Sequence, residues 1–392
     1  MKRILGLFDE GYNYIKAKIL IFIFSFFKID NHKILVSNFW GKGYGENPAA
    51  VIDELLKSKK NYKIYWIADD MDSDNYPKEI IKIKKRTIKY YYHLCTSKVW
   101  ISNVRTRIEI SKRKGQFYIQ LWHGSIPLKK IEKDVEEQLN KMYVKAAKND
   151  SKNIDLFISN SDSFSDLCRK SFWYDGRVEK YGSPKNDLIV NKKNHSTITN
   201  KIRKEFNISK DEKIILYAPT FRSGYGLDAY DIDFNLVLKE FEKKYKCNFK
   251  IFVRMHPNVS KANIEKLIVN DKIINATSYY DINDLLIASD FLITDYSSVM
   301  FDYGLMKKPV FLYASDVDKY DRGFYYKISK LPFSCSESNS ELSNNIKKFN
   351  EKDYLKGLKK FYDDNGIFED GKASKRVADE ILKVTGEKNG KE

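Results

Sequence analysis

At 392 residues, with 42% hydrophobic and 14% aromatic side chains, the chain is too long for one ordinary core. It is apolar enough to fold two domains of roughly 150–200 residues each. A formal charge of +17 asks for a polyanionic partner, whether nucleic acid, an anionic membrane face or a phosphorylated substrate. Cys95, Cys168, Cys247 and Cys335 lie far apart with no CxxC pair, so neither a zinc site nor a disulfide framework is indicated, and they read as reduced cytosolic thiols.

The first predicted element is an apolar helix around residues 19–27, ILIFIFSFF, with Lys16 and Lys18 before it and Lys28 after. A spanning helix needs about 20 apolar residues, so this run is too short to cross a bilayer. Asp9, Glu10 and the lack of a small-residue cleavage site exclude a signal peptide. Two readings fit: an interfacial helix lying in a cytoplasmic leaflet with lysines at the headgroups, or a first helix packed on the body of the protein.

Strand and helix signals then alternate. Residues 33–39 read as a strand, followed by the glycine-rich loop Gly41-Lys-Gly-Tyr-Gly45 and a helix over 47–57. Residues 62–68, 99–103, 117–122 and 156–159 read as further short strands. The polar, aperiodic stretch 191–199, NKKNHSTIT, is the predicted linker. Beyond it, strands over 213–218, 249–254, 291–294 and 309–313 enclose helices over 234–245 and 281–289. Short β-rich runs separated by helices predict α/β domains with parallel, doubly wound sheets. Ligands in such sheets sit beyond the carboxyl ends of the strands.

Chemistry-bearing residues fall at those ends. The strand over 117–122 runs into QLWHGSIPLKKI, with His123 at its mouth and Lys129 and Lys130 beyond. "YGSPKND" (181–187) offers a tight turn and Lys185; "YAPTFR" (217–222) places Thr220 and Arg222 past a central strand. In FKIFVRMH, alternation points Arg254 and His256 the same way, with Pro257 stopping the strand. A cation and an imidazole there suit a phosphate, although a surface Arg and a capping His would share the spacing. In FLITDYSSVMFDYG, Asp295 ends a strand and Ser297-Ser298 opens a helix. That start reads either as an anion site or as a plain N-cap, with Asp302 one turn on, suited to ribose hydroxyls.

Taken in order, LWHGSIPLKKI, YGSPKND, YAPTFR, RMHP, DINDLLIASDFLITDYSSVMFDYG and RGFYY span nearly the whole chain. The set resembles the CDP-glycerol glycerophosphotransferases of wall teichoic acid synthesis. The resemblance implies a GT-B fold: two Rossmann-like domains with a central cleft. These would be a membrane-associating segment at 1–30, an acceptor domain at 31–195 and a CDP-glycerol domain at 196–392. It implies that His123 is the catalytic base and His256 the second essential histidine. Trp122, Gly124, Ser125 and Pro127 complete the first motif. Lys185, Pro219, Thr220, Arg222, Arg254, Met255, Asp295, Ser297, Ser298 and Asp302 fall on donor-binding positions. Ser125 stands where the family pattern has Thr, and Lys185 where it has Arg, which keeps charge but loses bidentate geometry.

The implied reaction moves glycerol phosphate from CDP-glycerol to an undecaprenyl-diphosphate-linked saccharide at the cytoplasmic membrane surface, releasing CMP. No cofactor and no metal is implied. Polymerases of the family often carry a long extra N-terminal region, so this chain is expected to act as a primase; a CDP-ribitol donor, chain extension and a capsule acceptor are the rivals within the family. The basic clusters at 78–89 and 98–114 carry no nucleic-acid fold signature, and no nucleic-acid partner is expected.

Overall fold

A computed structural model of the chain describes residues 2–222, 230–256, 259, 261–317 and 323–386. The chain forms two compact units. One holds residues up to Ser125, Ile131–Asp187 and Phe368 onward; the other holds Ile126–Lys130 and Leu188–Ile367.

The first unit is built on seven parallel strands: β1 Asp30–Ser37, β2 Lys63–Ile67, β3 Ile80–Ile83, β4 Ser97–Ser102, β5 Phe117–Gln120, β6 Leu156–Ser159 and β7 Arg177–Lys180. Their order is β3-β2-β1-β4-β5-β6-β7, so the winding direction reverses between β1 and β4. Side chains alternate between two faces of this sheet. Ile34, Val36, Ile64, Trp66, Val99 and Ile101 form one apolar layer with helix α2, Glu46–Lys57, and with the C-terminal helix Ala373–Thr385. Each fully buried side chain of this size contributes roughly 1.5–3 kcal/mol. Leu35, Trp100 and Tyr118 are also buried. Here helix α3, Ile88–Thr96, meets the sheet, and the Trp100 indole donates to the Leu94 carbonyl.

Helix α1, Lys2–Phe24, lies on α3. The Phe24 and Phe27 rings pack edge-on against Tyr92 at 5.5 and 5.6 Å. Arg113 donates to the Phe27 carbonyl at 2.8 Å. The opposite side of α1 and its end carry Tyr12, Ile15, Ile19, Phe22, Ile23 and Phe26, all exposed, with Phe26 at 75%. One side of this segment is thus a packed brace, and the other presents an apolar stripe. Among the described residues, no helix is long and apolar enough to cross a membrane.

The second unit has six parallel strands: β8 Lys213–Tyr217, β9 Phe249–Val253, β10 Ile273–Asn275, β11 Phe291–Thr294, β12 Val310–Tyr313 and β13 Ser334–Ser336. Their order, β10-β9-β8-β11-β12-β13, again reverses at the centre. Alternation along β8 sends Ile214 and Leu216 into one core and Ile215 and Tyr217 into another, as expected of a central strand covered on both faces.

The α/β class and the parallel sheets agree with the sequence reading, and several boundaries differ. Strands β3, β7, β10 and β13 were not anticipated. The expected linker is largely ordered structure, because helix His195–Glu205 begins inside it; the chain passes between units at Asp187 and Leu188 instead. The C-terminal helix belongs to the first unit, whereas the sequence reading assigned everything from 196 onward to the second. Pro127 also changes side: Ile126 and Leu128 are buried in the second unit's core, and Tyr325 donates to the Leu128 carbonyl at 2.9 Å. Pro257 and Arg322 lie outside the described residues.

Candidate functional site

In the first unit the residues of interest gather past the carboxyl ends of β1, β4 and β5, where the winding reverses. Asn103, just after β4, donates through its amide to Asn38 Oδ1 at 2.8 Å, and its own Oδ1 accepts from Phe39 N–H at 3.0 Å. The Asn103 carbonyl is 2.9 Å from His123 Nδ1. A carbonyl only accepts, so Nδ1 carries the proton and Nε2 keeps its lone pair in the neutral ring. The imidazole packs against the rings of Trp122 and Phe39, at 4.4 and 5.3 Å between centroids. Burial pushes its pKa below the ordinary 6.5, aided by the positive charge of Lys185 and opposed by the Asn103 hydrogen bond and Glu46. At neutral pH this is an uncharged, oriented base.

Asn47, at the start of α2, fixes the surroundings. Its amide donates to the Trp122 carbonyl at 2.9 Å, and its Oδ1 accepts from Ser183 Oγ and from the Lys185 backbone N–H. Lys185 forms a 3.1 Å ion pair with Glu46. The loop before α2 needs Gly41, whose φ is +116° and where a Cβ would lie 3.0 Å from Asp69 N. Phe39, Trp40, Glu46 and Trp122 are non-glycine residues with φ between 42° and 57°. Such strain clusters where a site is held in one geometry. Gly124 is half-buried and Ser125 is buried.

In the second unit, Asp295 is the hub beyond β8 and β11. It accepts from Thr220 N–H at 2.9 Å and from Thr220 Oγ1 at 2.6 Å, and it pairs with Arg222 at 2.8 Å. Arg222 also pairs with Asp316 at 2.7 Å and lies 4.9 Å from the Tyr296 ring, whose hydroxyl donates to Asp316. Burial works to raise the Asp316 pKa, but Arg222 and Tyr296 outweigh it and hold the carboxyl below its ordinary value. Arg222 is only 6% exposed and spends its guanidinium on two carboxylates and the Thr220 carbonyl. It shapes this corner of the unit rather than presenting a free cation.

Pro219 and Met255 are buried beside these groups, and Met255 N–H donates to Thr277 Oγ1 at 3.1 Å. Arg254 is half-buried and donates to the Tyr279 carbonyl, while His256 is exposed and packs against Phe221 at 5.1 Å. Arg254 and His256 thus flank a buried Met255, as alternation required. The helix opened by Ser297-Ser298 differs from expectation. It spans only Val299–Gly304, and the Met300 and Phe301 N–H groups bond back to the carbonyls of Ser297 and Ser298. Its first amides are occupied, so the half-exposed serine hydroxyls, rather than a row of free N–H groups, are what it presents. Asp302 is buried, at 2% exposure. Among the described residues, no group of three His, Cys, Asp or Glu side chains is placed to hold a metal ion.

Sequence reasoning missed Asn47, Asn103, Phe39, Asp316 and Tyr296. For Asn103 a signal existed, a lone amide directly after the apolar VWIS run; for Asp316 there was none, since its partner lies 94 positions away.

Comparison with known proteins converges on one group. Residues 19–383 match the family described as CDP-Glycerol:Poly(glycerophosphate) glycerophosphotransferase. The chain is 32% identical to a teichoic acid poly(glycerol phosphate) polymerase of Staphylococcus epidermidis, over 91% of this chain and 52% of that protein. It is 30% identical to a teichoic acid glycerol-phosphate transferase of Staphylococcus aureus, over 95% of this chain and 99% of that protein. It therefore spans about half of the first relative and nearly all of the second. A solved structure of the wall teichoic acid polymerase TagF matches with a TM-score of 0.83 at 29% identity, covering 97% of this chain and 98% of that one.

Proposed function

The chain belongs to the CDP-glycerol:poly(glycerophosphate) glycerophosphotransferase family, and on that premise we propose that it transfers glycerol phosphate from CDP-glycerol to a hydroxyl of a lipid-linked saccharide. One observation supports this chemistry most directly: the Asn103 carbonyl holds Nδ1 of His123 and leaves Nε2 as a base. In the proposed step the acceptor oxygen attacks the phosphorus bearing glycerol, and its proton passes to His123 Nε2. The bond from that phosphorus to the CMP phosphate oxygen breaks, and CMP leaves. Arg254 offers positive charge to the leaving phosphate, and the His256 ring N–H and the Ser297 and Ser298 hydroxyls offer hydrogen bonds. Asp302 is assigned to the nucleotide end.

The test is CMP release from CDP-glycerol and CDP-ribitol, each with a synthetic lipid-linked disaccharide carrying or lacking a first glycerol phosphate. The expected result is release that needs both acceptor and CDP-glycerol. The two acceptors separate first addition from chain extension. Absence of release from either donor with every acceptor would overturn the reading.

A lipid-linked acceptor stays in its bilayer, so the enzyme must come to it. The exposed stripe on α1, flanked by Lys16, Lys18 and Lys28, supports peripheral binding at the cytoplasmic face. Replacing Ile19, Phe22 and Phe26 by Ser should leave thermal stability unchanged, because these side chains are exposed. Flotation with anionic liposomes should drop severalfold. Undiminished flotation would assign attachment to the basic surface alone.

A further inference from the structure

A cavity of about 370 Å³ lies inside the first unit, between the sheet and α3. Well-packed interiors carry few voids larger than a water molecule, whereas ligand pockets run from about 300 to 1,000 Å³. Its walls are apolar and aromatic: Leu35 and Trp100 from the sheet, Tyr90 and Leu94 from α3, and Ile110 from the loop that follows β4. Its lining also includes four cations, Lys85, Arg86, Arg105 and Arg107, of which Arg105 is buried and paired with Glu132 and Asp150. Lys85 and Arg107 are paired with Asp69 and Glu109. Half-buried Arg86 has no carboxylate partner among the described residues.

Two neighbours give this cavity a direction. Trp40, half-exposed, lines it and donates through its indole to the Arg105 carbonyl at 2.8 Å. The preceding residue, Phe39, packs on His123. On another side, α3 lines the cavity with Tyr90 and Leu94 while its Tyr92 holds α1. The cavity is thus next to both the base and the helix that carries the apolar stripe.

We infer that this cavity takes the apolar chain of the acceptor lipid next to its phosphate, with Arg86 meeting the phosphate. The inference rests on the transferase reading for the identity of the lipid. An apolar wall with one uncommitted cation selects an amphiphile of this kind over inorganic phosphate, which gains nothing from the wall, and over a neutral lipid, which gains nothing from Arg86.

The experiment uses the full chain and farnesyl phosphate as probe, with farnesol and inorganic phosphate as controls. Binding is followed by calorimetry and by tryptophan fluorescence, since Trp40 and Trp100 both line the cavity. Farnesyl phosphate should saturate a single site. Loss of the charge-assisted contact in Arg86→Gln should weaken it about tenfold. Ile110→Phe, which fills the cavity, should weaken it at least as much. In transfer assays both variants should raise KM for a long-chain acceptor and leave KM for CDP-glycerol and for an acceptor saccharide lacking both chain and phosphate unchanged. If Ile110→Phe fails to fold, the exposed-side variant Arg86→Gln carries the test. Non-saturable binding, equal binding of farnesol, or unchanged affinity in a folded variant would overturn the inference. Site-specific binding without CMP release from any acceptor would instead overturn the transferase reading and leave the lipid site standing.

Discussion

Replacing His123 by Ala should lower glycerol phosphate transfer by about 10²–10⁴-fold while leaving CDP-glycerol affinity nearly intact, because a general base acts on the chemical step. Calorimetry with the donor and single-turnover CMP release measure the two quantities separately. Donor affinity lost in proportion to rate would remove His123 from the base role. The wild-type pH profile supplies a second readout. Burial holds the His123 pKa below 6.5, so the neutral imidazole persists under mildly acidic conditions. The acid limb of kcat/KM should therefore fall at a pH below 6.5, and His123→Ala should abolish that limb in the residual activity. The same shift bears on stability. The folded state resists a proton that the unfolded chain accepts, so the contribution is constant above about 6.5 and stability falls as pH drops toward the folded-state value.

Arg222→Met should destabilise the second unit by roughly 3–5 kcal/mol, since it leaves Asp295 and Asp316 without their cation in a desolvated setting. For a unit of this size that is a drop of about 10 °C in its thermal midpoint. Asp295 also orients Thr220 through both its N–H and its hydroxyl, so CMP affinity should fall with stability. Arg222→Lys should recover only part of either, because an ammonium lacks the planar fork that meets two carboxylates at once. An unchanged midpoint in Arg222→Met would show that water replaces the guanidinium without cost.

Legibility in the sequence followed the physics of each element. Central strands such as β8, apolar on both faces, announce themselves as continuous hydrophobic runs. Edge strands do not: β7 is Arg-Val-Glu-Lys, and β13 is three residues long. Charged, short edges discourage pairing with other chains, and the same composition hides them from a periodicity search. Strand β3 lies within the lysine cluster at 78–89, so what read as a basic patch is partly a short strand with Ile80 and Ile83 buried and Lys82 half-buried. The placement of His123, Arg254 and His256 at strand ends was legible, because the apolar runs that precede them mark where those strands stop. Asn47 was not, because its work is to bridge loops distant in sequence. The choice between an anion site and a plain N-cap at Ser297-Ser298 depended on helix length and on which amides stay free, neither of which residue types reveal. Arg222 was expected on a donor-binding position, and its pairing with Asp316, 94 positions away, was not legible.

The packing of Ala373–Thr385 onto the first sheet also sets an order of events during synthesis. As the chain leaves the ribosome, β1 to β7 emerge first, yet the helix that covers Val36, Trp66 and Ile101 is among the last segments made. At about 5–20 residues per second, the nascent first unit waits on the order of ten seconds or more with part of that apolar layer uncovered. The second unit, nearly continuous from Leu188 to Ile367, can complete itself during that interval. A premature stop codon near residue 370 would therefore spare the later-made unit and strand the earlier one, making the first half of the polypeptide a client for chaperones and proteases.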